Sequence, residues 1–227
     1  TGLNEASLKA QNIAYDKVYA NGNSHASYYP GATSQTVKLL FSPEDGKVLG
    51  AQIVGFQGVD KRCDVLNTAI RAGMTVYDLT ELELCYAPPY SSAKDPVNMV
   101  GFMAENLLTG KVKQFHWHDV EALPKDGSVT FLDVRTPSEY RHGHFPGAKL
   151  IPVDELREHI GELDKSKPVY VNCHSGLRSY IACRILSQEG FDAYNLAGGY
   201  RLYDSVMAGH GEPDQRTTDC GAPEGTV

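Results

Sequence analysis

The chain has 227 residues, of which 41% are hydrophobic and 22% are charged, and its formal net charge is −7 at pH 7. This is the composition of a globular protein of one or two domains with a sizeable core. The acidic balance and the lack of a basic stripe argue against nucleic acid as a partner, and no apolar run is long enough to span a membrane.

The chain opens on a polar segment, TGLNEASLKA, which has neither an initiator methionine nor the features of a signal peptide. We therefore expect that an N-terminal part of the protein is missing from it. Five cysteines at irregular spacing do not indicate a disulfide framework, so we expect a reducing, cytoplasmic environment.

The first half contains strand patterns followed by helix patterns, which favours a small α+β unit. Alternating, β-friendly residues predict strands at 8–19, 36–41 and 47–54. Asn21-Gly22-Asn23 has the composition of a turn, and 42–46 that of a hairpin turn. Apolar periodicity and capping residues predict helices at 58–72 and 95–108, and 75–83 is expected to be a short helical or turn segment.

The second half alternates strands and helices, which predicts an α/β domain with a parallel sheet. Strands are expected at 129–134, 149–152, 168–172 and 192–196, and helices at 120–123, 153–163, 177–188 and 200–207. In the helix at 177–188 we expect Leu177, Ile181 and Ile185 to face the core. The sequence therefore divides into a first domain at 1–110, a second domain at 115–208 and a polar C-terminal tail at 209–227.

Cys173 is the residue around which the second half is organised. It follows an apolar strand and precedes a glycine-containing turn and a helix N-terminus, where backbone N–H groups converge into an anion cradle. Arg178 adds a planar, charged donor group. We expect these groups to favour a reactive Cys173 thiolate, within an active loop formed by His174, Ser175, Gly176, Leu177, Arg178 and Ser179. The alternative is a cysteine that is simply buried at a strand end.

The length of the loop indicates its chemistry. Four residues separate Cys173 from Arg178, and this C-x4-R-S pattern after a hydrophobic strand resembles the rhodanese family of sulfurtransferases. Cysteine-dependent phosphatases have one residue more, which opens their loop for phosphate. The upstream segment DVRTPSEYRHGHFPGA also resembles the rhodanese family. That resemblance gives Asp133 and Arg135 a structural role beside the active loop; the alternative is an ordinary surface ion pair.

Two segments of the first half carry a second resemblance. DKRCDVLNTAIRAGMTVYDLTELE and LCYAPPYSSAKDPVNMVG resemble the C-terminal dimerisation domain of pyridine nucleotide-disulfide oxidoreductases, within the branch of coenzyme A-disulfide reductases and rhodanese-fused persulfide reductases. The resemblance implies a homodimer in which Tyr28 and Tyr86 serve the partner subunit's coenzyme A thiol site. The alternative role for both tyrosines is packing at a dimer interface.

The same resemblance implies FAD, NAD(P)H and coenzyme A as cofactors of a longer protein. The chain itself has no G-x-G-x-x-G after a strand, and therefore no dinucleotide fingerprint, so the missing N-terminal FAD and NAD domains would have to supply those sites.

For several other charged, histidine and cysteine residues we expect a structural role and not a functional one. Lys61 and Arg62 open a helix where a phosphate could sit, but a solvated basic pair is the better interpretation. His116 and His118 have metal-ligand spacing without a third ligand, so no metal site is predicted. For the remaining cysteines we expect core packing or no assigned role: Cys63, Cys85, Cys183 and Cys220.

The sequence therefore predicts sulfur transfer through a Cys173 persulfide, from a sulfane donor such as thiosulfate or polysulfide to a thiol acceptor. In the longer protein this transfer would be coupled to reduction of coenzyme A disulfide, persulfide or polysulfide with FAD and NADH. The alternatives are a stand-alone thiosulfate sulfurtransferase, a cysteine-dependent phosphatase or arsenate reductase, and a non-enzymatic dimerisation module.

Overall fold

The computed structural model describes residues 1–209, in which two sheets follow one another along the chain. The first part forms an antiparallel sheet of order β1-β2-β3. Its core lies between this sheet and the helices, around Leu39, Leu66 and Val100. The elements are α1 (Glu5–Ala10), β1 (Asp16–Asn23), β2 (Ser34–Phe41), β3 (Val48–Gly55), α2 (Val59–Ala72), α3 (Val76–Glu81) and α4 (Pro96–Leu108).

The second part forms a sheet of five parallel strands in the order β4-β8-β7-β5-β6. Two 3₁₀ helices, Trp117–Ala122 and Ile160–Glu162, complete it. The predicted arrangement, an α+β unit followed by a parallel α/β unit, is confirmed. The elements are β4 (Lys113–Phe115), β5 (Thr130–Asp133), α5 (Pro137–Arg141), β6 (Lys149–Leu150), α6 (Leu156–His159), β7 (Val169–Asn172), α7 (Leu177–Gln188), β8 (Ala193–Leu196) and α8 (Gly199–Gly209).

The helix starts follow local chemistry that the sequence displays. Asp95 caps α4, with Pro96 at its first position, and Thr136 caps α5 through a reciprocal pair of bonds with Glu139. Gly73 adopts a left-handed conformation, with φ of 71°, where α2 ends. No helix within residues 1–209 has the length and apolar character needed to cross a membrane.

The prediction of a strand at 8–19 and a turn at Asn21 was wrong. The first residues of that segment are helical, because Asn4 caps α1 and Glu5 forms ion pairs with Lys17 and Lys38. The strand starts only at Asp16 and continues through Asn21, which lies opposite Thr36 of β2. Turn-forming residues are accommodated in β1 because the pairing with β2 outweighs their local preference.

The prediction for the inward face of α7 was right for Ile185, which is buried in the core, but wrong for Leu177 and Ile181. Leu177 and Ile181 are 61% and 43% exposed, whereas Ala182, Cys183 and Leu186 are buried against the sheet. Apolar residues lie on both sides of this helix, so periodicity alone could not identify the side that packs against the sheet. Leu177 instead lines a cleft of about 240 Å³ between the two parts of the molecule.

Side chains bond across the boundary between the two parts. Gln114 Nε2 donates to the Lys17 carbonyl at 2.6 Å, and Arg201 Nη2 donates to Ser34 Oγ at 2.9 Å. Asn21 reaches the loop that follows β7. The first sheet therefore lies directly against the loops at the carboxyl edge of the second. The predicted tail beyond Gly209, with Cys220, lies outside the described residues.

Candidate functional site

Cys173 lies immediately after β7, the central strand of the parallel sheet, and its side chain is fully buried. This is the carboxyl edge of the sheet, where open α/β folds bind ligands. The chain turns sharply through Gly176, whose φ of 104° is a conformation that favours glycine, and then enters α7. The turn brings the N-terminus of α7 onto the sulfur atom.

Two donors contact the Cys173 sulfur. The Gly176 N–H lies 3.1 Å from Sγ, and the Ser179 hydroxyl lies 3.2 Å from it. The same hydroxyl is 3.2 Å from the Gly176 carbonyl, so it can turn its single proton to the sulfur when negative charge develops there. These donors form the cradle that the sequence predicts for a thiolate.

Arg178 is placed differently from the expectation that it holds the sulfur directly. Its Nη1 and Nη2 donate to the two carboxylate oxygens of Glu139, at 2.8 and 2.6 Å. This bidentate bond lowers the pKa of Glu139 to about 2, with help from Thr136. The pKa of Arg178 is raised, chiefly by its bond to Glu139 and further by the charge of Cys173. Glu139 thus fixes the position of the Arg178 guanidinium.

Asp133 and Arg135 form a buried ion pair at the end of β5, which rules out the surface-pair alternative. Arg135 Nη2 lies 2.6 Å from Asp133 Oδ2, and the two side chains are 4% and 0% exposed. The same nitrogen donates to the Gly143 carbonyl at 2.6 Å, and the guanidinium lies over the Tyr200 ring at 4.3 Å. The pair therefore connects the end of β5 with the loop at Gly143 and the start of α8.

A second glycine turn closes the site from the β8 side. A Cβ on Gly199 would lie 2.6 Å from the His174 carbonyl oxygen, so only glycine allows this approach. The N–H groups of Tyr200 and Arg201 then donate to the Cys173 and His174 carbonyls, at 2.8 and 2.9 Å. These bonds fix the Cys173 and His174 carbonyl groups on the side of the second glycine turn.

The other predicted loop residues lie around the entrance. The His174 and Leu177 side chains are exposed, and Ser175 is half-buried. Ser175, Gly176 and Leu177 line the cleft between the two parts of the molecule, together with Tyr180 and Met99. An incoming substrate would meet these side chains.

Tyr28 and Tyr86 are brought together although they are distant in sequence. Their hydroxyl oxygens lie 2.7 Å apart, and the side chains are 72% and 49% exposed. The hydrogen bond raises the pKa of Tyr28. The pair is therefore a hydrogen-bonded cluster of two phenols at the exposed surface of the first part.

The interpretation of Arg62 as a solvated residue was wrong. Its side chain is 1% exposed and bonds to Asp95 Oδ2 at 2.9 Å and to the Ser24 carbonyl at 2.9 Å. The buried carboxylate of Asp95, which also caps α4, draws the guanidinium inward and away from any phosphate. Arg62 is therefore a structural residue that joins α2 to α4.

The remaining cysteines differ in exposure. Cys183 is buried, and burial raises the pKa of its thiol, so it is an unreactive core residue. Cys63 is half-buried rather than fully packed in the core, and Cys85 is exposed. Among residues 1–209, no cluster of three His, Cys, Asp or Glu side chains forms a candidate metal site.

Sequence reasoning missed three residues that shape the site: Glu139, Asn21 and Asn195. Glu139 was visible only as part of a capping box, and nothing in the sequence connects it to Arg178. Asn195 Nδ2 donates to the Gly176 carbonyl at 3.3 Å from the neighbouring strand. Asn21 contacts the loop from the other part of the molecule. These contacts depend on tertiary structure and have no local signal.

Both parts of the chain match known protein families. Residues 1–96 match the pyridine nucleotide-disulphide oxidoreductase dimerisation domain, and residues 116–205 match the rhodanese-like domain. The coenzyme A disulfide reductase of Staphylococcus haemolyticus is 46% identical over 93 residues, which is 41% of this chain and 21% of that protein.

Two solved structures are similar over nearly the whole chain. The reduced CoADR-RHD of Bacillus anthracis is 48% identical with a TM-score of 0.89, covering 92% of this chain and 37% of that one. The NAD-dependent persulfide reductase from A. fulgidus is 38% identical with a TM-score of 0.79, covering 88% and 36%. The chain thus spans about a fifth of the curated relative and little more than a third of the two solved chains.

Proposed function

We propose that Cys173 accepts a sulfane sulfur atom and passes it to a thiol, because residues 116–205 match the rhodanese-like domain and residues 1–96 match the pyridine nucleotide-disulphide oxidoreductase dimerisation domain. The observation that carries this proposal is the short cradle around the sulfur. The Gly176 N–H and the Ser179 hydroxyl both point at Sγ within a loop of only four residues between Cys173 and Arg178.

In the first step the Cys173 thiolate attacks the outer sulfur of a donor such as thiosulfate. A new S–S bond forms, the donor's own S–S bond breaks, and sulfite leaves with the bonding electrons. The resulting Cys173 persulfide keeps its terminal charge beside the N–H groups of the loop and the field of Arg178. These donors are already in place, so little reorganisation accompanies the reaction.

In the second step a thiolate acceptor attacks the outer sulfur of the persulfide, and the Cys173 thiolate leaves. We propose that the acceptor is coenzyme A or a similar small thiol, which becomes a persulfide. Tyr28 and Tyr86 would serve a coenzyme A thiol site in a homodimer, because exposed neutral phenols can donate hydrogen bonds to a developing thiolate. The match of residues 1–96 to a dimerisation domain supports this role.

FAD and NAD(P)H are proposed only for the longer protein. The sequence contains no G-x-G-x-x-G following a strand, so the residues present do not fit a dinucleotide. No step is therefore assigned to either cofactor here. The reductase half of the reaction would belong to FAD and NAD domains of that longer protein.

The length of the loop disfavours the phosphatase alternative. Four residues separate Cys173 from Arg178, one fewer than in the loop of cysteine-dependent phosphatases, so the loop leaves less room for a tetrahedral phosphate. A single sulfur atom on Cys173 requires only N–H donors and a nearby positive field.

The test compares thiosulfate:cyanide sulfur transfer in three proteins: the wild type, Cys173→Ser, and Cys85→Ser as a matched control on an exposed cysteine. We expect Cys173→Ser to abolish transfer and Cys85→Ser to retain it. Transfer that survives in Cys173→Ser would refute the nucleophile. Turnover of p-nitrophenyl phosphate without thiosulfate turnover would favour the phosphatase instead, and a monomer in sedimentation would contradict the homodimer.

A further inference from the structure

Asn21 of β1 contacts the active loop although it belongs to the other part of the molecule. Its Nδ2 donates to the Ser175 carbonyl at 3.0 Å and to the Gly198 carbonyl at 3.1 Å. Its Oδ1 accepts a hydrogen bond from Thr36 Oγ1 at 2.8 Å. Because two carbonyl oxygens can be bonded only by the NH₂ end, the orientation of this amide is fixed by its partners.

The Ser175 carbonyl and the Gly176 N–H belong to the same peptide group. In a planar trans peptide the C=O and N–H bonds point in opposite directions. The carbonyl is bonded to Asn21 on one side, and the N–H points at the Cys173 sulfur, 3.1 Å away, on the other. The side chain of Asn21 therefore sets the direction of the donor that faces the sulfur.

This peptide is one that could otherwise rotate. Gly176 has a φ of 104°, and glycine occupies positive and negative φ with similar ease, so a flip of the Ser175–Gly176 peptide has a low intrinsic penalty. A flip would turn a carbonyl oxygen toward the sulfur and remove a hydrogen-bond donor. The bond to Gly198 also ties Asn21 to the second glycine turn, which packs against the His174 carbonyl.

We propose that Asn21 is a positioning residue for Cys173: it locks the Ser175–Gly176 peptide with its N–H toward the sulfur, so that the first part of the chain completes the sulfur cradle of the second. The expected effect of Asn21 on the rate of sulfur transfer rests on the proposed function. The expected effect of Asn21 on the reactivity of the Cys173 thiol is independent of that function.

The test uses the full 227-residue chain with Asn21→Leu, which keeps the approximate size and removes the amide. Gln114→Leu is the matched control, because it deletes an amide that also crosses the boundary but bonds to the Lys17 carbonyl instead of the loop. The first readout is the pH profile of Cys173 alkylation by iodoacetamide, followed on the Cys173 peptide by mass spectrometry. The second is kcat and KM for thiosulfate:cyanide transfer.

For Asn21→Leu we expect the midpoint of alkylation to move to higher pH and kcat to fall about tenfold, as for loss of one hydrogen bond to a charged group, with KM for thiosulfate nearly unchanged. Gln114→Leu should match the wild type in both. Unchanged alkylation and kcat in Asn21→Leu, or equal shifts in both variants, would overturn the proposal.

Asn21→Asp guards against a folding defect of the leucine variant, since it has the same shape but replaces two donors with acceptors. For Asn21→Asp we expect the midpoint of alkylation to move to higher pH by at least as much as in Asn21→Leu. A wild-type alkylation profile in Asn21→Asp would count against the proposal. If the wild type transfers no sulfur, the proposed function fails, and the alkylation profiles alone decide the role of Asn21.

Discussion

Glu139→Gln isolates the charge that holds Arg178 beside the active loop. The amide oxygen of Gln can still accept the Thr136 N–H, which Glu139 binds at 3.0 Å, so the cap of α5 is kept. What is lost is the bidentate ion pair, with N–O distances of 2.8 and 2.6 Å. The variant therefore reports on the interaction between Glu139 and Arg178 rather than on the helix start.

The size of the effect follows from the pKa of Glu139, which falls from its ordinary value of 4.5 to about 2, chiefly through Arg178. At about 1.4 kcal/mol per pH unit this sets an upper limit of roughly 3 kcal/mol. Both side chains are 31% exposed, so water screens the pair. We expect a loss of about 1 kcal/mol in the free energy of unfolding at pH 7.

The sign of the pH dependence is fixed. The pKa of Glu139 is lower in the folded state than in the unfolded chain, so its contribution is complete above about pH 4.5 and is lost as the pH falls toward 2. In urea unfolding, the difference between wild type and Glu139→Gln should fall by more than half between pH 7 and about pH 3. A difference that is absent at pH 7, or that does not change with pH, would refute this reasoning.

Three further predictions concern the two clusters of functional residues. Ser179→Ala removes a hydroxyl 3.2 Å from the reactive sulfur and should lower kcat for thiosulfate:cyanide transfer about tenfold, so an unchanged kcat would contradict its role as a donor. Tyr28→Phe and Tyr86→Phe break an exposed hydrogen bond of 2.7 Å, and each should change the free energy of unfolding by less than about 0.5 kcal/mol; a larger loss in urea unfolding would make the pair structural. Asp133→Asn leaves the buried Arg135 without its counter-charge and should lower that free energy by about 3–5 kcal/mol, whereas a loss below about 1 kcal/mol would contradict a buried ion pair.

The parts of the fold that sequence predicts well are those set by local chemistry. The strand before Cys173, the glycine turn and the following helix lie within one short segment, and each has its own signal. The capping box of Thr136 and Glu139 is equally local. The loop that contacts the sulfur, with Gly176 and Ser179, was therefore predictable, whereas the bond between Arg178 and Glu139 was not.

What the sequence could not reveal depends on contacts between distant segments. Arg62 has the composition of a surface residue, and only Asp95, thirty-three positions away, accounts for its burial. Glu139 and Arg178 are 39 residues apart, with β6, α6 and β7 between them, so no periodicity links them. Asn21 has turn chemistry by itself, and its role arises only because two sheets meet.

The central claim is that Cys173 carries a lone sulfur atom, and mass spectrometry of the protein after treatment with thiosulfate tests it most directly. We expect an added mass of one sulfur on the Cys173 peptide, removed by dithiothreitol and absent in Cys173→Ser. No adduct on that peptide, or an adduct confined to the exposed Cys85, would contradict it.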